Sequence, residues 1–548
     1  DYVAQFYFDS SSSQTLVRLL RDTKGDGTVL ADLGSFNPDD TTNVKSLWRA
    51  GRILWARNLT TDARKIYTRI GGSTDSTLDS VLNAASEATH LAEFATALKT
   101  DSTVLTYLQA ANATEAEKII NFIRGTDQSG YRSRAATIAG TAGTWRLGDI
   151  ISSTPKVQGN VGLNAYSQNP PVGYADSSYE KFIKSNDYGN RGMAYVGAND
   201  GMLHAFRLGV LKELTDPCRN LESDSNSTSC KADKAKLNDY TKVASGTTIG
   251  ANANIRADAA DAIGKEEWAF VPRQVLPYLK YLADTAYPHL FYVDGTPLIV
   301  DISINKPATY DTVAYPNCST NYWECPKQTQ YNSGTQNLDV ANTSWKTVLI
   351  GGSGLGGASR SRAGSCAGGG TDCIKTPIVD PTDSTAAPNT RGFGYSSYFA
   401  LDVTDPMQPK YLWEFPGNTT AANNLGHATA GPVIMRVGDK NKNGRWFAVF
   451  ASGPTGTIDT ANNQFLGRSD QPLRLFIVDL ATGALVKTIT TTLTDAFAGS
   501  ASNAAVDNDR SYSYKDDFYK DDAAYFGYVQ KVDATHWSKG GVIRLSTN

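Results

Sequence analysis

The sequence lacks any apolar run long enough to cross a bilayer. Its longest hydrophobic stretches, such as 475–478, have the length of a β-strand and fall far short of the roughly 20 residues that a transmembrane helix needs. An excess of charge is also missing, because 52 Lys and Arg residues stand against 55 Asp and Glu residues, a net charge of −3 at pH 7. A nearly neutral chain of this kind excludes a general attraction to nucleic acid or to acidic membranes.

Zinc-binding spacing is absent as well, because no CxxC occurs and none of the five His residues stands near a cysteine couple at ligand spacing. The six cysteines instead form three local couples in loop-like segments rich in Gly, Ser, Asn, Thr or Pro. This pattern predicts disulfides between near neighbours and an oxidising compartment, with free cytosolic thiols as the alternative. The predicted pairs are Cys218 with Cys230, Cys318 with Cys325, and Cys366 with Cys373.

The chain changes character near residue 140. Residues 77–124 favour helix, because apolar positions such as Val104, Leu108 and Ile119 recur at intervals of three and four residues. We therefore predict a partly helical N-terminal segment over 1–138 and a β domain over 139–548. Polar insertions near 218–263 and 358–389 are expected to be long loops on one face of that domain, either with a binding function or without a partner.

Short β-rich runs closed by turn residues follow Trp145 and indicate a mainly β fold. Several of these runs form a repeated pattern of strand, polar turn and strand, as around Asp200-Gly201, Asp405-Pro406 and Thr482-Gly483. Such a pattern is typical of a diverged β-propeller, whose blades are small antiparallel sheets. The runs are 193–196, 268–271, 290–293, 347–350, 398–403, 446–451, 473–480 and 523–529.

An ordered series of motifs from Trp145 to the C-terminus resembles the C-terminal propeller domain of the PilY/PilC family, proteins associated with the tips of type IV pili. No single motif is specific, but their order along the chain is. The motifs are WRLGDI at 145–150 followed by STP at 153–155, YVGANDGMLHAF at 195–206, YVDG at 292–295, VLIGG at 348–352, ALDVTDP at 400–406, LWEF at 412–415 and GGVIRL at 540–545.

The resemblance implies a modified, quinoprotein-like β-propeller of about seven blades. It also implies roles in pilus biogenesis, in calcium-dependent control of extension and retraction, and in adhesion to a host-cell or abiotic surface. The implied partners are minor pilins or the pilus tip complex, and the implied location is the pilus tip or outer cell surface, reached through the periplasm. The sequence begins at Asp1 without a leader, so we expect any signal peptide to have been removed or to lie upstream.

The resemblance also implies a calcium site. Family members carry an acidic loop before a strand of the form Asp-x-x-Tyr-x-Gly, which residues 522–527 match, and Asp507 and Asp509 resemble the start of that loop. Carboxylates two residues apart can point at one hard cation that takes six to eight oxygen ligands. The predicted metal ligands are therefore Asp507, Asp509 and Asp522, and a solvated acidic loop is the alternative.

The predicted calcium loop departs from the family pattern, because residues 510–521 separate its two acidic parts and no Asp-x-Asp-x-Asp-Gly core is present. A longer loop can still close, with further oxygens from Ser511, Asp516, Asp517, Asp521 or a backbone carbonyl. A second stretch, residues 439–444, resembles the start of an EF-hand loop, but its two Lys residues and the Phe at its twelfth position favour a plain β-turn.

A quinoprotein dehydrogenase is the alternative from another functional class, since those enzymes also use propellers. The sequence lacks adjacent cysteines and a convincing set of acid, base and cofactor ligands. His204 and His289 have no evident Ser or Cys partner, which favours structural roles. We therefore predict a protein that is not an enzyme and has no catalytic residues.

Overall fold

The computed structural model divides into two compact units, Asp1–Arg49 and Ala50–Asn548. Within the first unit, the described strands form an antiparallel three-stranded sheet of β1 (Tyr2–Asp9), β2 (Gln14–Arg21) and β3 (Ala31–Phe36). The structure describes residues 2–11, 14–21, 31–36, 49–70, 92–138, 140–208, 264–286, 289–359, 375–379, 392–416, 422–438, 440–456, 458–459, 464–465, 467–501, 505–510, 519–533 and 536–547.

The longest described helix of the second unit ends at Arg124, within the segment where the apolar spacing predicts helix. Asp101 caps α2 (Ser102–Tyr107), and Asn112 caps α3 (Ala113–Arg124) by accepting from the backbone of Glu115. Residues 71–91 of the predicted helical segment lie outside the described residues. The other described α-helices are α1 (Ala50–Ala56), α4 (Ser177–Ile183), α5 (Asn186–Gly189), α6 (Leu279–Ala283) and α7 (Ala422–Leu425), and 3-10 turns occupy Thr96–Thr100, Arg273–Tyr278, Tyr322–Glu324 and Val340–Asn342.

Four mainly antiparallel sheets follow one another along the chain and confirm a mainly β fold. The first contains β8 (Lys156–Gln158), β9 (Met193–Gly197), β10 (Leu203–Arg207) and β11 (Glu266–Val271). It is extended by β4 (Ile66–Thr68), which pairs with β11 in parallel, and by β5 (Ala92–Glu93). The second is β12 (Leu298–Ser303), β13 (Trp345–Gly352), β16 (Tyr398–Asp402) and β17 (Lys410–Phe415). The third is β18 (Val433–Val437), β19 (Arg445–Ala451), β22 (Arg474–Asp479) and β23 (Leu485–Thr490).

The fourth sheet carries the candidate site. Its long central strand β26 (Ala523–Gln530) pairs with β27 (Lys539–Ser546) on one edge and with β24 (Ala496–Ala498) and β25 (Ala505–Val506) on the other. Short two-stranded ribbons complete the described strands: β6 (Ala135–Ile138) with β7 (Thr141–Thr144), β14 (Ile378–Val379) with β15 (Gly392–Phe393), and β20 (Ile458–Asp459) with β21 (Gln464–Phe465). The number of propeller blades, the closure of a ring and the boundary at residue 138 stay predictions.

The strand-turn-strand segments are hairpins. β9 pairs with β10 across Asp200-Gly201, β16 with β17 across Asp405-Pro406, and β22 with β23 across Thr482-Gly483. One predicted strand is wrong. Residues 290 and 291 are irregular and residues 292 and 293 form a bend, and the backbone N–H of Tyr292 donates to Asn199 Oδ1 at 3.0 Å.

Aromatic side chains fill the spaces between successive sheets. Phe270 of the first sheet lies 5.1 Å from Phe399 of the second, measured between ring centroids. Tyr398 of the second sheet stacks at 4.1 Å on Phe450 of the third. A third cluster, which includes Val449 and Phe526, joins the third sheet to the fourth. The sheets therefore share continuous hydrophobic cores.

One predicted disulfide is present, between Cys318 and Cys325, whose sulfurs are 1.97 Å apart. The other two predicted pairs, Cys218 with Cys230 and Cys366 with Cys373, lie outside the described residues, as does most of both polar insertions. Within the described part of the chain, no helix has the length and apolar character needed to cross a membrane.

Candidate metal centre

The pairing of β25 with β26 brings two distant acidic segments together. Val506 is the Cα partner of Ala523, so the residues after β25 meet the residue before β26. The backbone N–H of Asp522 donates to the carbonyl of Val506 at 2.8 Å, and the N–H of Asn508 donates to Asp522 Oδ2 at 2.7 Å. Antiparallel strand pairing therefore places Asp507, Asp509 and Asp522 at one end of this sheet.

The three predicted ligands can offer three carboxylate oxygens that all lie within 4.8 Å of one another. Calcium binds oxygens at about 2.3–2.6 Å, so oxygens on opposite sides of one ion lie about 5 Å apart. The donor set consists of hard anionic oxygens, which suits calcium and excludes a soft metal. Three carboxylates leave room for backbone or water oxygens to complete six to eight contacts.

Asp507 connects this cluster to the interior. Tyr174 donates to its Oδ2 atom, and Arg436 donates in turn to the Tyr174 hydroxyl oxygen. Arg436 Nη2 and Arg510 Nε each lie 3.8 Å from the same carboxylate oxygen. Burial raises the pKa of Asp507 above its ordinary value, although the Tyr174 hydrogen bond and the two guanidinium groups act in the opposite direction.

Arg436 lies in an aromatic enclosure that sequence reasoning did not find. Its guanidinium carbon lies 4.0 Å from the ring centroid of Tyr519 and 4.4 Å from that of Tyr174, and Tyr166 and Trp446 cover it further. Burial by itself would lower the pKa of Arg436, but the nearby Asp521 carboxylate and the tyrosines raise it above its ordinary value. The buried guanidinium therefore stays charged.

The structure gives Asp521 a different role from that of an additional calcium ligand. Its Oδ2 atom accepts from the backbone N–H of Arg436 at 2.7 Å, and its Oδ1 atom lies 3.8 Å from Arg436 Nη2. This carboxylate compensates the charge of the buried arginine. The other suggested ligands, Ser511, Asp516 and Asp517, lie outside the described residues.

The EF-hand-like stretch is a structural turn in its described part, residues 440–444. Asn443 is buried and donates to the carbonyls of Asn305 and Tyr322, at 2.9 and 3.0 Å. Lys442 forms an ion pair with Glu324 at 2.7 Å. Gly444 has a φ of 69°, as a tight turn requires. Asp439 lies outside the described residues.

The two histidines have partners that indicate structural roles. His204 is buried between Glu266 Oε1 at 2.7 Å and Asp200 Oδ1 at 3.1 Å. His289 Nε2 lies 2.9 Å from Asp149 Oδ2 on the surface. In these contacts the partners of both histidines are carboxylates and not Ser or Cys side chains.

The fold and the site together define a mainly β protein built from successive antiparallel sheets, with a carboxylate cluster at the edge of the last sheet. No model of a known protein family matches the chain. Two curated relatives are named for pilus biogenesis. A type IV pilus biogenesis factor PilY1 homologue of Xylella fastidiosa is 26% identical over 383 residues, and the PilY1 protein of Pseudomonas aeruginosa is 24% identical over 378 residues.

Each of these matches covers 68% of this chain but only 16% of the Xylella protein and 19% of the Pseudomonas protein. Among solved structures, the crystal structure of the Pseudomonas aeruginosa PilY1 C-terminal domain matches 64% of this chain and 39% of that chain, with 20% identity and a TM-score of 0.27. The resemblance seen in the sequence is confirmed: the PilY1 pilus biogenesis factors are relatives of this chain.

Proposed function

We propose that this chain is a calcium-binding module of a type IV pilus biogenesis factor, with Asp507, Asp509 and Asp522 as the metal ligands. The observation that carries the calcium site is the convergence of three carboxylates within 4.8 Å at the junction of β25 and β26. The names of the relatives support the pilus role.

Electrostatics explains why a cation would stabilise this junction. Three carboxylates so close together repel one another, and burial penalises the charge on Asp507 further. A bound calcium ion removes the repulsion and holds the ends of β25 and β26 together. Binding to the folded state adds RT ln(1 + [L]/Kd) to the free energy of unfolding, so calcium raises the thermal stability of this sheet.

In the proposed role, the occupancy of the calcium site governs whether the pilus stays extended or retracts. The surrounding domain is proposed to be a β-propeller that supports adhesion. The proposed partners are minor pilins or the tip complex, together with a host-cell or abiotic surface. The proposed location is the pilus tip or the outer cell surface. The protein is proposed to act by binding and not as an enzyme. Support for these steps comes from the resemblance and from the relatives' names.

A calcium titration of the purified chain tests the site. The test variant is Asp509→Asn with Asp522→Asn, which removes two charges but keeps Asp507 as a partner for Arg436. The matched control is Asp533→Asn in the connection between β26 and β27, whose carboxylate contacts His536. We expect calorimetric binding of one calcium ion and a higher melting temperature in the wild type and the control, and neither effect in the double variant.

The same substitutions in the full-length protein test the pilus role, with pilus retraction measured in cells at low and high calcium. We expect the variant to lose the calcium response of retraction and the Asp533→Asn control to keep it. An equal calcium affinity in the double variant and the wild type would place the ion elsewhere. A normal retraction response in a variant that binds no calcium would refute the regulatory role alone.

A further inference from the structure

A second site lies beside the candidate metal centre, in a cavity of about 420 Å³. All four sheets of the second unit contribute to its walls, through Val157, Leu298, Ile434 and Ala505. This volume falls within the range of small-molecule sites, about 300–1,000 Å³. The cavity is therefore large enough for a compact ligand at the point where four sheets approach one another.

Most of the charged side chains that line this cavity are basic. Its described lining includes three basic side chains, Lys156, Arg436 and Arg510, against a single carboxylate, Asp521. Asp521 is already committed to Arg436, from which it accepts a backbone hydrogen bond of 2.7 Å. Asp507 lies 3.8 Å from both guanidinium groups and partly compensates them, so the three basic side chains exceed these two carboxylates by one charge.

Donor groups in the wall remain available to a ligand. Arg436 is 2% exposed, and it uses Nε for the carbonyl of Tyr519 at 2.9 Å and Nη2 for the Tyr174 hydroxyl oxygen. Among the described residues, the buried Nε atom of Arg510 has no hydrogen-bond partner. Arg510 donates through Nη1 to the carbonyl of Val172 at 2.8 Å, which fixes its side chain at the rim. Guanidinium groups held in place in this way recognise carboxylate and phosphate oxygens.

The geometry points to a binding site for a small oxyanion in this cavity, with Lys156, Arg436 and Arg510 as its charged partners. The shared chemistry is a compact group with two or more anionic oxygens, as found in carboxylates and in sulfate or phosphate groups.

Calcium and the oxyanion should favour each other, an expectation that rests on the proposed calcium site. Asp507 lies 3.8 Å from both Arg436 and Arg510, so its charge partly compensates these cations. A calcium ion bound to Asp507 neutralises part of this negative charge, so the electrostatic potential in the cavity becomes more positive. By linkage, calcium must raise the affinity for the oxyanion by the same factor by which the oxyanion raises the affinity for calcium. We expect this factor to be at least about five.

Equilibrium dialysis with labelled sulfate, with and without calcium, tests this inference, and labelled acetate in parallel separates a tetrahedral anion from a carboxylate. We expect saturable binding of at least one probe by the wild type, tightened by calcium. The variant Lys156→Gln should bind about fivefold more weakly, because it loses one partly solvated charge. The control Lys487→Gln, on the exposed outer strand β23, should bind like the wild type.

The outcomes separate this site from the calcium site. Binding of neither probe, or equal binding by Lys156→Gln and the wild type, overturns the oxyanion site even if calcium binds. Oxyanion binding that calcium leaves unchanged, in a protein that binds calcium, overturns the coupling. If the wild type binds no calcium, the proposed calcium site is wrong. Dialysis of the wild type and Lys156→Gln in calcium-free buffer then still shows whether the cavity binds an oxyanion.

Discussion

His204 lies buried between two carboxylates, and its replacement should remove a defined part of the pH dependence of stability. On β10, its Nδ1 atom is 2.7 Å from Glu266 Oε1 and its Nε2 atom is 3.1 Å from Asp200. Arg64 holds Glu266 from the other side at 2.7 Å, with Arg57 at 3.6 Å. Burial by itself would lower the pKa of His204, but the charges and hydrogen bonds of Asp200 and Glu266 raise it to about 9.

The direction of the pH effect follows from this raised pKa. An unfolded histidine titrates near pH 6.5, so the folded state binds the proton more tightly than the unfolded state does. The resulting stabilisation is fully present below about pH 6.5 and is lost as the pH rises through about 9. The interval between these two values corresponds to about 3 kcal/mol of unfolding free energy.

Urea unfolding followed by tryptophan fluorescence, at pH values from 6 to 9.5, measures this contribution. We expect the difference in unfolding free energy between the wild type and His204→Gln to shrink by about 3 kcal/mol across that range. His536→Gln is the matched control, since its ring contacts Asp533 but is largely exposed, and its difference from the wild type should stay near zero. A pH-independent difference for His204→Gln would refute the reasoning.

Two further predictions concern the packing of the second unit. Replacing Cys318 and Cys325 by Ser should cost about 2 kcal/mol in urea unfolding, because this disulfide closes a short loop with a sequence separation of 7. An unchanged unfolding free energy in this variant would contradict the prediction. Phe450→Ala should cost about 3–5 kcal/mol, because its ring packs between Tyr398 and Phe415 at 4.1 and 5.6 Å. Tyr525, an aromatic residue that is exposed, is the control, and Tyr525→Ala should shift the urea midpoint less than Phe450→Ala. Equal shifts for the two variants would show that burial does not determine the loss of unfolding free energy.

Local turn chemistry made much of the sheet structure predictable from the sequence. Gly201 and Gly483 have φ values of 94° and 72°, which only glycine adopts without strain, and each lies between two strands that pair. The wrong prediction of a strand at residues 290–293 has a different physical origin. Apolar residues there are buried as expected, but burial alone cannot reveal that a side chain, Asn199, takes the place of a neighbouring strand.

The candidate site was predictable only in part. The acidic residues of the loop could be named because the resemblance extends to a local pattern at 522–527, and strand pairing then brings Asp507 and Asp509 to it. The contacts of Arg436 with Tyr174 and Tyr519 cross 262 and 83 residues of sequence, respectively. They depend on how the third sheet packs against the segment before α4 and the segment before β26, so no spacing in the sequence indicates them.

Asp507 has contacts with the interior that bear on the proposed regulation. It accepts a hydrogen bond from Tyr174 and lies 3.8 Å from two guanidinium groups. Coupling between two sites requires an element whose energy depends on both of them. Among the three carboxylates, the side chain of Asp507 meets that condition. For the proposed calcium site, we therefore expect an effect of the ion on the interior to pass through Asp507.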